Sequence, residues 1–304
     1  MPTITDGSSD YAPALAQMGN ILAAVYVSDG GHSLVTNQMY MSLYDLNTLT
    51  LSNSKSLDTH KSELRPAAGV WNGNIYFLYV RTSNDNLLGY GMTDMVSFLE
   101  ANCIIIDHDK PYADFIPYIA PFGETLYASF VKSDTKNTIN IISADSGWLL
   151  NHADNGPWRS GSNITINSEN DLHGSQMLPI YTDGQVVYVL LYRKNDKSVH
   201  ALSSLNADFS KGISSSVSSG APSDSFQFAT VNDGLIYCFW SVTTGASYAV
   251  GTPGTDGSVT WSAAKTAPSA PENITDISCT SGPAGVFVGY RDKAGTLTFA
   301  RLSD

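Results

Sequence analysis

The chain has 304 residues, 14% charged and 42% apolar, and its 28 acidic and 16 basic side chains give a formal charge of −12. That charge excludes nucleic acid as a partner, because phosphates need a basic surface. No apolar run of roughly eighteen residues is present to span a membrane as a helix.

Twenty-five glycines, 16 tyrosines and many serines and threonines predict short strands and tight turns. The opening Met1-Pro2-Thr3-Ile4-Thr5 lacks the basic and apolar halves of a secretion signal. The expected location is therefore the cytosol, or outside the cell after a signal has been removed.

Six segments then share one form: an acidic residue, an apolar stretch often holding proline, a Gly/Asn/Asp turn, and an aromatic-rich strand. The turns are Gly19-Asn20, Asn72-Gly73, Gly123-Glu124, Asp183-Gly184, Asp233-Gly234 and 282–285. The strands after them are 21–27, 75–80, 126–131, 187–192, 235–240 and 286–290. Asn-Gly and Asp-Gly between apolar runs are strong hairpin signals, because both central residues tolerate positive φ. A third apolar run follows several hairpins (87–90, 138–142, 199–202, 296–300), and a fourth follows some of them (103–106, 164–166). Six units of four strands predict an all-β, six-bladed propeller over residues 1–304, one domain, with four antiparallel strands per blade. The last unit lacks its fourth strand, and Thr3-Ile4-Thr5 resembles Ile164-Thr165-Ile166. The N-terminal strand is thus expected to close the last blade and hide two sheet edges.

Ser143-Ala144-Asp145-Ser146-Gly147-Trp148 and Asp256-Gly257-Ser258-Val259-Thr260-Trp261 are similar to the Asp-box of sialidase-type propellers, a structural turn. The three cysteines, Cys103, Cys238 and Cys279, have no zinc-ligand spacing. They read as buried thiols, or as a Cys238–Cys279 disulfide with Cys103 free. Asn163-Ile164-Thr165 and Asn273-Ile274-Thr275 match the N-glycosylation pattern, which a Ser/Thr/Asn-rich chain produces easily.

The repeats imply two rings at one channel mouth. Counting back from the turns, first strands open on Asp10, Glu63, Asp114, Gln176, Asp224 and Asp276. Counting forward, second strands end on Ser28, Arg81, Lys132, Arg193, Ser241 and Arg291. Glu63 and Arg81 are equidistant from Asn72, so they are expected opposite each other, as are Asp114 with Lys132 and Gln176 with Arg193. Two roles are open. The charges are blade-internal ion pairs, contributing roughly 0.2–1 kcal/mol each, or they face a ligand, the acids accepting hydroxyl hydrogen bonds and Arg/Lys donating. The candidate ligand-binding residues are Glu63, Arg81, Asp114, Lys132, Arg193, Asp276 and Arg291, with Tyr112 and Trp158 as aromatic contacts. Tyr11, His60 and His173 share the mouth loops, where a lone histidine is expected to be solvated. Trp71 and Trp240 sit within hairpins and are expected to pack there.

No G-x-S-x-G, H-E-x-x-H or P-loop occurs. Asp29-Gly30-Gly31-His32 and Asp134-Thr135-Lys136-Asn137 lack the ligand series of a calcium loop. No cofactor and no metal are expected.

The layout resembles the six-bladed fucose-lectin-like superfamily typified by the Aleuria-type fungal lectins. The resembling units are Ala12-Pro13-Ala14-Leu15-Ala16…Gly19-Asn20-Ile21…Val25-Tyr26 and Arg65-Pro66-Ala67-Ala68…Gly73-Asn74-Ile75-Tyr76…Tyr79. The resemblance implies a carbohydrate-binding lectin whose partner is a glycan or a small molecule. That family's arginine is followed about a dozen residues later by a glutamate, which Arg81, Arg193 and Arg291 lack. The same superfamily resembles cofactor-independent propeller enzymes of the hetero-Diels–Alder type, with one central pocket. Such an enzyme, or a glycosidase, is the alternative. The oligomeric state is left open.

Overall fold

The structure is a computed structural model. It describes residues 3–30, 36–81, 88–94, 104–105, 117–122, 125–131, 138–145, 159–165, 171–180, 186–193, 198–205, 213–216, 227–242, 244–256 and 258–302. These residues form six antiparallel sheets arranged as propeller blades. Blade one holds β2 (Ala14–Met18), β3 (Ile21–Val27), β4 (Gln38–Asp45) and β5 (Thr50–Lys61). Blade two holds β6 (Ala67–Trp71), β7 (Asn74–Val80), β8 (Leu88–Asp94) and β9 (Ile104–Ile105). Blade three holds β10 (Tyr118–Phe122), β11 (Thr125–Val131), β12 (Thr138–Asp145) and β13 (Arg159–Thr165). Blade four holds β14 (Asp171–Ile180), β15 (Val186–Arg193), β16 (Ser198–Leu205) and β17 (Ile213–Ser216). Blade five holds β18 (Gln227–Asn232), β19 (Leu235–Val242), β20 (Gly245–Pro253) and β21 (Val259–Trp261), with β22 (Lys265–Thr266) also paired to β20. Blade six holds β23 (Ile274–Gly282), β24 (Gly285–Asp292), β25 (Thr296–Arg301) and, from the start of the chain, β1 (Thr3–Ser8).

The first strands of the blades touch in a closed cycle: β2, β6, β10, β14, β18, β23 and back to β2. β1 pairs antiparallel with β25, Thr3 opposite Thr298 and Ser8 opposite Thr296, which is the expected closure. The hairpins form where the turn signals fall. Asn72 and Gly73 have φ of 46° and 75°, and Asp233 and Gly234 have 48° and 74°. Positive φ at both central residues is the type I′ geometry, whose twist matches that of the flanking strands.

Four apolar cores each lie between two blades, and a fifth, among the described residues, holds side chains of blade five alone. On β3, Ala23, Val25 and Val27 join Met39, Met41 and Leu43 against Ile75, Phe77 and Tyr79 of blade two. The alternate residues Leu22, Ala24 and Tyr26 join Tyr44 against Phe287, Leu297 and Phe299 of blade six. Period-two alternation therefore sends one strand's side chains into two cores, so β3 is apolar throughout. Blades two and three share a layer with Leu78, Leu126 and Phe130. Blades five and six share one with Phe239, Ile277 and Tyr290.

The Asp256 turn is the structural box the sequence suggests. Its Oδ1 accepts the Ser258 N–H at 3.0 Å and the Ser258 hydroxyl at 2.6 Å. Trp261 then lies against Gly251, where a Cβ would come within 2.7 Å of the indole. Cys238 and Cys279 are buried free thiols, and burial pushes the Cys238 thiol up to about 12. Cys103 lies outside the described residues.

Removing residues 1–8 deletes β1 and bares the edge of β25. The truncated chain is expected to melt well below the full chain by calorimetry and to associate through the open edge in light scattering. An unchanged melting temperature would show that β1 closes nothing.

Candidate ligand site at the channel mouth

Proline directly precedes three of the six first strands. Ala12-Pro13, Arg65-Pro66 and Ile116-Pro117 occupy equivalent places in blades one to three. A residue before proline is pushed to extended backbone, and Arg65 holds that place in blade two. Blade two differs only in carrying a charge there.

Arg65 reaches from blade two to blade six. Its Nη1 donates to both oxygens of Asp276 at 3.0 Å and to the Ile277 carbonyl at 2.7 Å. Asp276 also accepts the Ala12 N–H at 2.7 Å and its neighbour's Ile277 N–H at 2.8 Å. Both side chains are buried, at 0% and 2% exposure. Burial raises the Asp276 carboxyl pKa, while Arg65, the two N–H donors and Arg291 act against that rise. Tyr118 of blade three feels the charge of both partners, and burial pushes its phenol up to about 12. Four blades thus meet at one ion pair.

Around this pair stand the groups the sequence points to. Arg291 faces Asp276 across β23 and β24 as expected. Its Nε donates to the Ser9 carbonyl, its Nη1 donates to Thr275 Oγ1 at 2.7 Å, and Nη2 is 3.5 Å from Asp10. The Asp10 side chain is 73% exposed. Tyr11 is half-buried. Burial raises its pKa most, with Asp10, Asp276 and Glu63 adding to the rise and Arg65 opposing it. Glu63 is exposed and Arg81 half-buried, and neither side chain has a hydrogen bond or ion pair among the described residues.

The expected cross-strand pairs need correction. Arg81 bridges Ser62, not Glu63. Gln176 lies opposite Leu190, and Arg193 lies opposite Ser198 on β16. The β14–β15 ladder runs unbroken from Ile180 opposite Val186 to Gln176 opposite Leu190, three residues short of Arg193. The Ser62–Arg81 bridge is two residues out of step with the β6–β7 ladder, as a bulge produces. Asp276 does sit opposite Arg291, yet its carboxylate is taken by Arg65. Tyr112, Asp114, Lys132, Trp158 and Asp224 lie outside the described residues.

His60 is not solvated. It is buried in β5 with Nδ1 2.8 Å from the Tyr79 hydroxyl, and its ring stands edge-on to Phe77 and Tyr79. Burial lowers its pKa from 6.5 to about 4. Trp71 and Trp240 are core residues, at 4% and 3% exposure. Arg65 was the residue sequence reasoning passed over, and its signal was a charge where blades one and three carry Ala12 and Ile116.

No protein-family model and no curated protein matches the chain. Solved structures do. A triple arginine-to-alanine mutant of AofleA from Arthrobotrys oligospora superposes with a TM-score of 0.68 at 13% identity, over 97% of this chain and 84% of that one. The Aleuria aurantia lectin, a six-bladed propeller with a novel mode of fucose recognition, gives 0.64 at 12% identity, over 98% and 92%. The chain has the Aleuria-type six-bladed propeller fold. A Trypanosoma rangeli sialidase also matches, at 0.62 and 8% identity, over 96% of this chain and 54% of that one. One architecture therefore serves both lectin and hydrolase, and residues must decide between them.

Two outcomes are expected here. Arg65→Ala or Asp276→Asn alone should lower stability by about 3–5 kcal/mol in urea titration, since each strands a buried partner. The double variant Arg65→Met/Asp276→Leu should lose far less, and equal losses would show no coupling. For His60, the unfolded chain binds the extra proton between pH 6.5 and about 4, so acidification favours unfolding across that window. The full effect is roughly 3 kcal/mol. His60→Gln should flatten the fall of melting temperature between pH 7 and 4.5, and a parallel fall would place acid sensitivity elsewhere.

Proposed function

We propose that residues 1–304 act as one carbohydrate-binding, lectin-like propeller whose ligand lies at the channel mouth or between the blades beside it. The observation that carries this is Glu63 and Arg81: a carboxylate and a guanidinium with no partner among the described residues, close in sequence to the locked Arg65–Asp276 pair. Asp10 and Tyr11 add an exposed carboxylate and a half-buried phenol. A sugar needs this mixture, with acceptors for its hydroxyl hydrogens, forked donors for its oxygens and an aromatic face. Asp276 serves in this reading through Arg65 and not by touching the ligand. Arg291 holds Asp10. Asp114, Lys132 and Arg193 belong to the same proposal by their places in the repeat, Tyr112 as an aromatic of the mouth loops, and Trp158 by its place in the inter-repeat insertion 149–162. The near-complete overlap with a fucose-recognising lectin supports the assignment.

A second reading has one specific observation in its favour. Arg65 stands where Ala12 and Ile116 stand in neighbouring blades, so the mouth is not built of equal units. Unequal units suit one central pocket of an enzyme better than repeated shallow sites.

The decisive measurement is a glycan array followed by calorimetric titration of the best binder, with methyl α-L-fucoside included. Glu63→Gln and Arg81→Ala should each weaken binding by about 1.5–3 kcal/mol, roughly ten- to a hundredfold. A stoichiometry above one supports the lectin. A stoichiometry of one supports the central pocket. Silence across the array, or wild-type affinity in both variants, would remove the proposal.

A further inference from the structure

On the opposite face, a cavity of about 220 Å³ opens between blades five and six. It lies at the hairpin-turn ends of the first strands. Asp276 and Gly282 are six residues apart on β23, so the cavity is roughly 20 Å from the mouth. Its walls include Asn232, Asp233, Tyr237, Gly285 and Arg301.

The cavity is held open by its surroundings. Thr230 and Ser281 hydroxyls meet at 2.8 Å across the blade boundary, and Ser281 also donates to the Val231 carbonyl. These contacts fix the separation of the two hairpin turns. Gly285, at φ 104°, presents bare backbone beneath the Arg301 guanidinium, where a Cβ would lie 3.5 Å from Nε and 3.6 Å from Nη2. Arg301 is exposed, and its side chain has no hydrogen bond or ion pair among the described residues. Across the cavity, Asn232 Nδ2 donates to Asp233 at 3.2 Å, which orients a carboxylate that still has acceptor capacity.

We infer that this cleft binds one small hydroxylated carboxylate of monosaccharide size, such as a sugar uronate. Arg301 takes the carboxylate through its forked N–H groups. Asp233 and Asn232 take hydroxyls from the other side, and the half-buried Tyr237 ring supplies an apolar wall. Asp233 repels a ligand charged all round, so a polyanion such as a phosphate ester fits worse than a molecule with one acid group and several hydroxyls. The volume is below the range for drug-sized ligands, about 300–1,000 Å³, and so limits the occupant to a single ring. The inference does not depend on what the mouth binds.

The test titrates the full chain with sodium D-glucuronate by calorimetry, with methyl β-D-glucoside as the probe lacking a carboxylate. Wild type should bind glucuronate at one site and methyl glucoside at least tenfold more weakly. Arg301→Gln should lose at least tenfold in glucuronate affinity at unchanged melting temperature, and Arg301→Lys should retain part of it. Absence of glucuronate binding, equal binding of both probes, or unchanged affinity in Arg301→Gln would each overturn the site. An equal loss in Glu63→Gln would overturn it too, by moving the acid to the mouth.

Discussion

A guanidinium and a carboxylate with no access to water hold the mouth of this propeller together. Arg65 and Asp276 are separated by 211 residues and by the whole of blade one, yet they share two oxygen contacts at 3.0 Å. Isolated, either charge would be strongly disfavoured there. Together they form a knot in which the Ala12 and Ile277 N–H groups join Arg65 on the carboxylate and the Ile277 carbonyl accepts from the guanidinium. Blades six, one and two cannot rotate apart without stranding a charge. The surrounding groups, Asp10, Tyr11, Glu63 and Arg291, are arrayed on a base that does not yield.

The blades themselves obey a simpler rule. Alternate residues of one strand serve two different cores, so Val25 belongs with blade two while Tyr26 belongs with blade six. A blade such as blade one has no core of its own. Its burial exists only when neighbours are in place on both sides, and the closed cycle of first strands supplies neighbours to all six. The pairing of β1 with β25 gives the sixth blade its fourth strand and removes an open edge.

Most of this architecture is legible locally. Asn72-Gly73 and Asp233-Gly234 adopt the backbone their chemistry favours, and the strands beside them begin within a residue or so of where apolarity begins. The missing fourth strand of the last blade was visible as an imbalance. The site was harder to read. Counting outward from a turn fixes neither the ladder's centre nor its continuity. Gln176 meets Leu190 on an unbroken ladder whose centre is not the one Arg193 needs, and Arg81 meets Ser62 because that ladder slips by two residues. Arg65 escaped because its partner lies four blades further along the chain, beyond any local pattern. His60 escaped because polar character suggests solvent, whereas Phe77 and Tyr79 enclose it.

The β1–β25 junction has a mechanical consequence. The strands are antiparallel, so Thr3, near the start of one, lies opposite Thr298, near the end of the other. Tension applied through the chain beyond residues 3 and 301 therefore acts at one end of the ladder. It loads the hydrogen bonds in succession, as a zipper is opened, and not all at once as in shear between parallel ropes. The seam that completes blade six is thus its weakest line under load, and a propeller of this kind tethered through both ends of the chain would open there first.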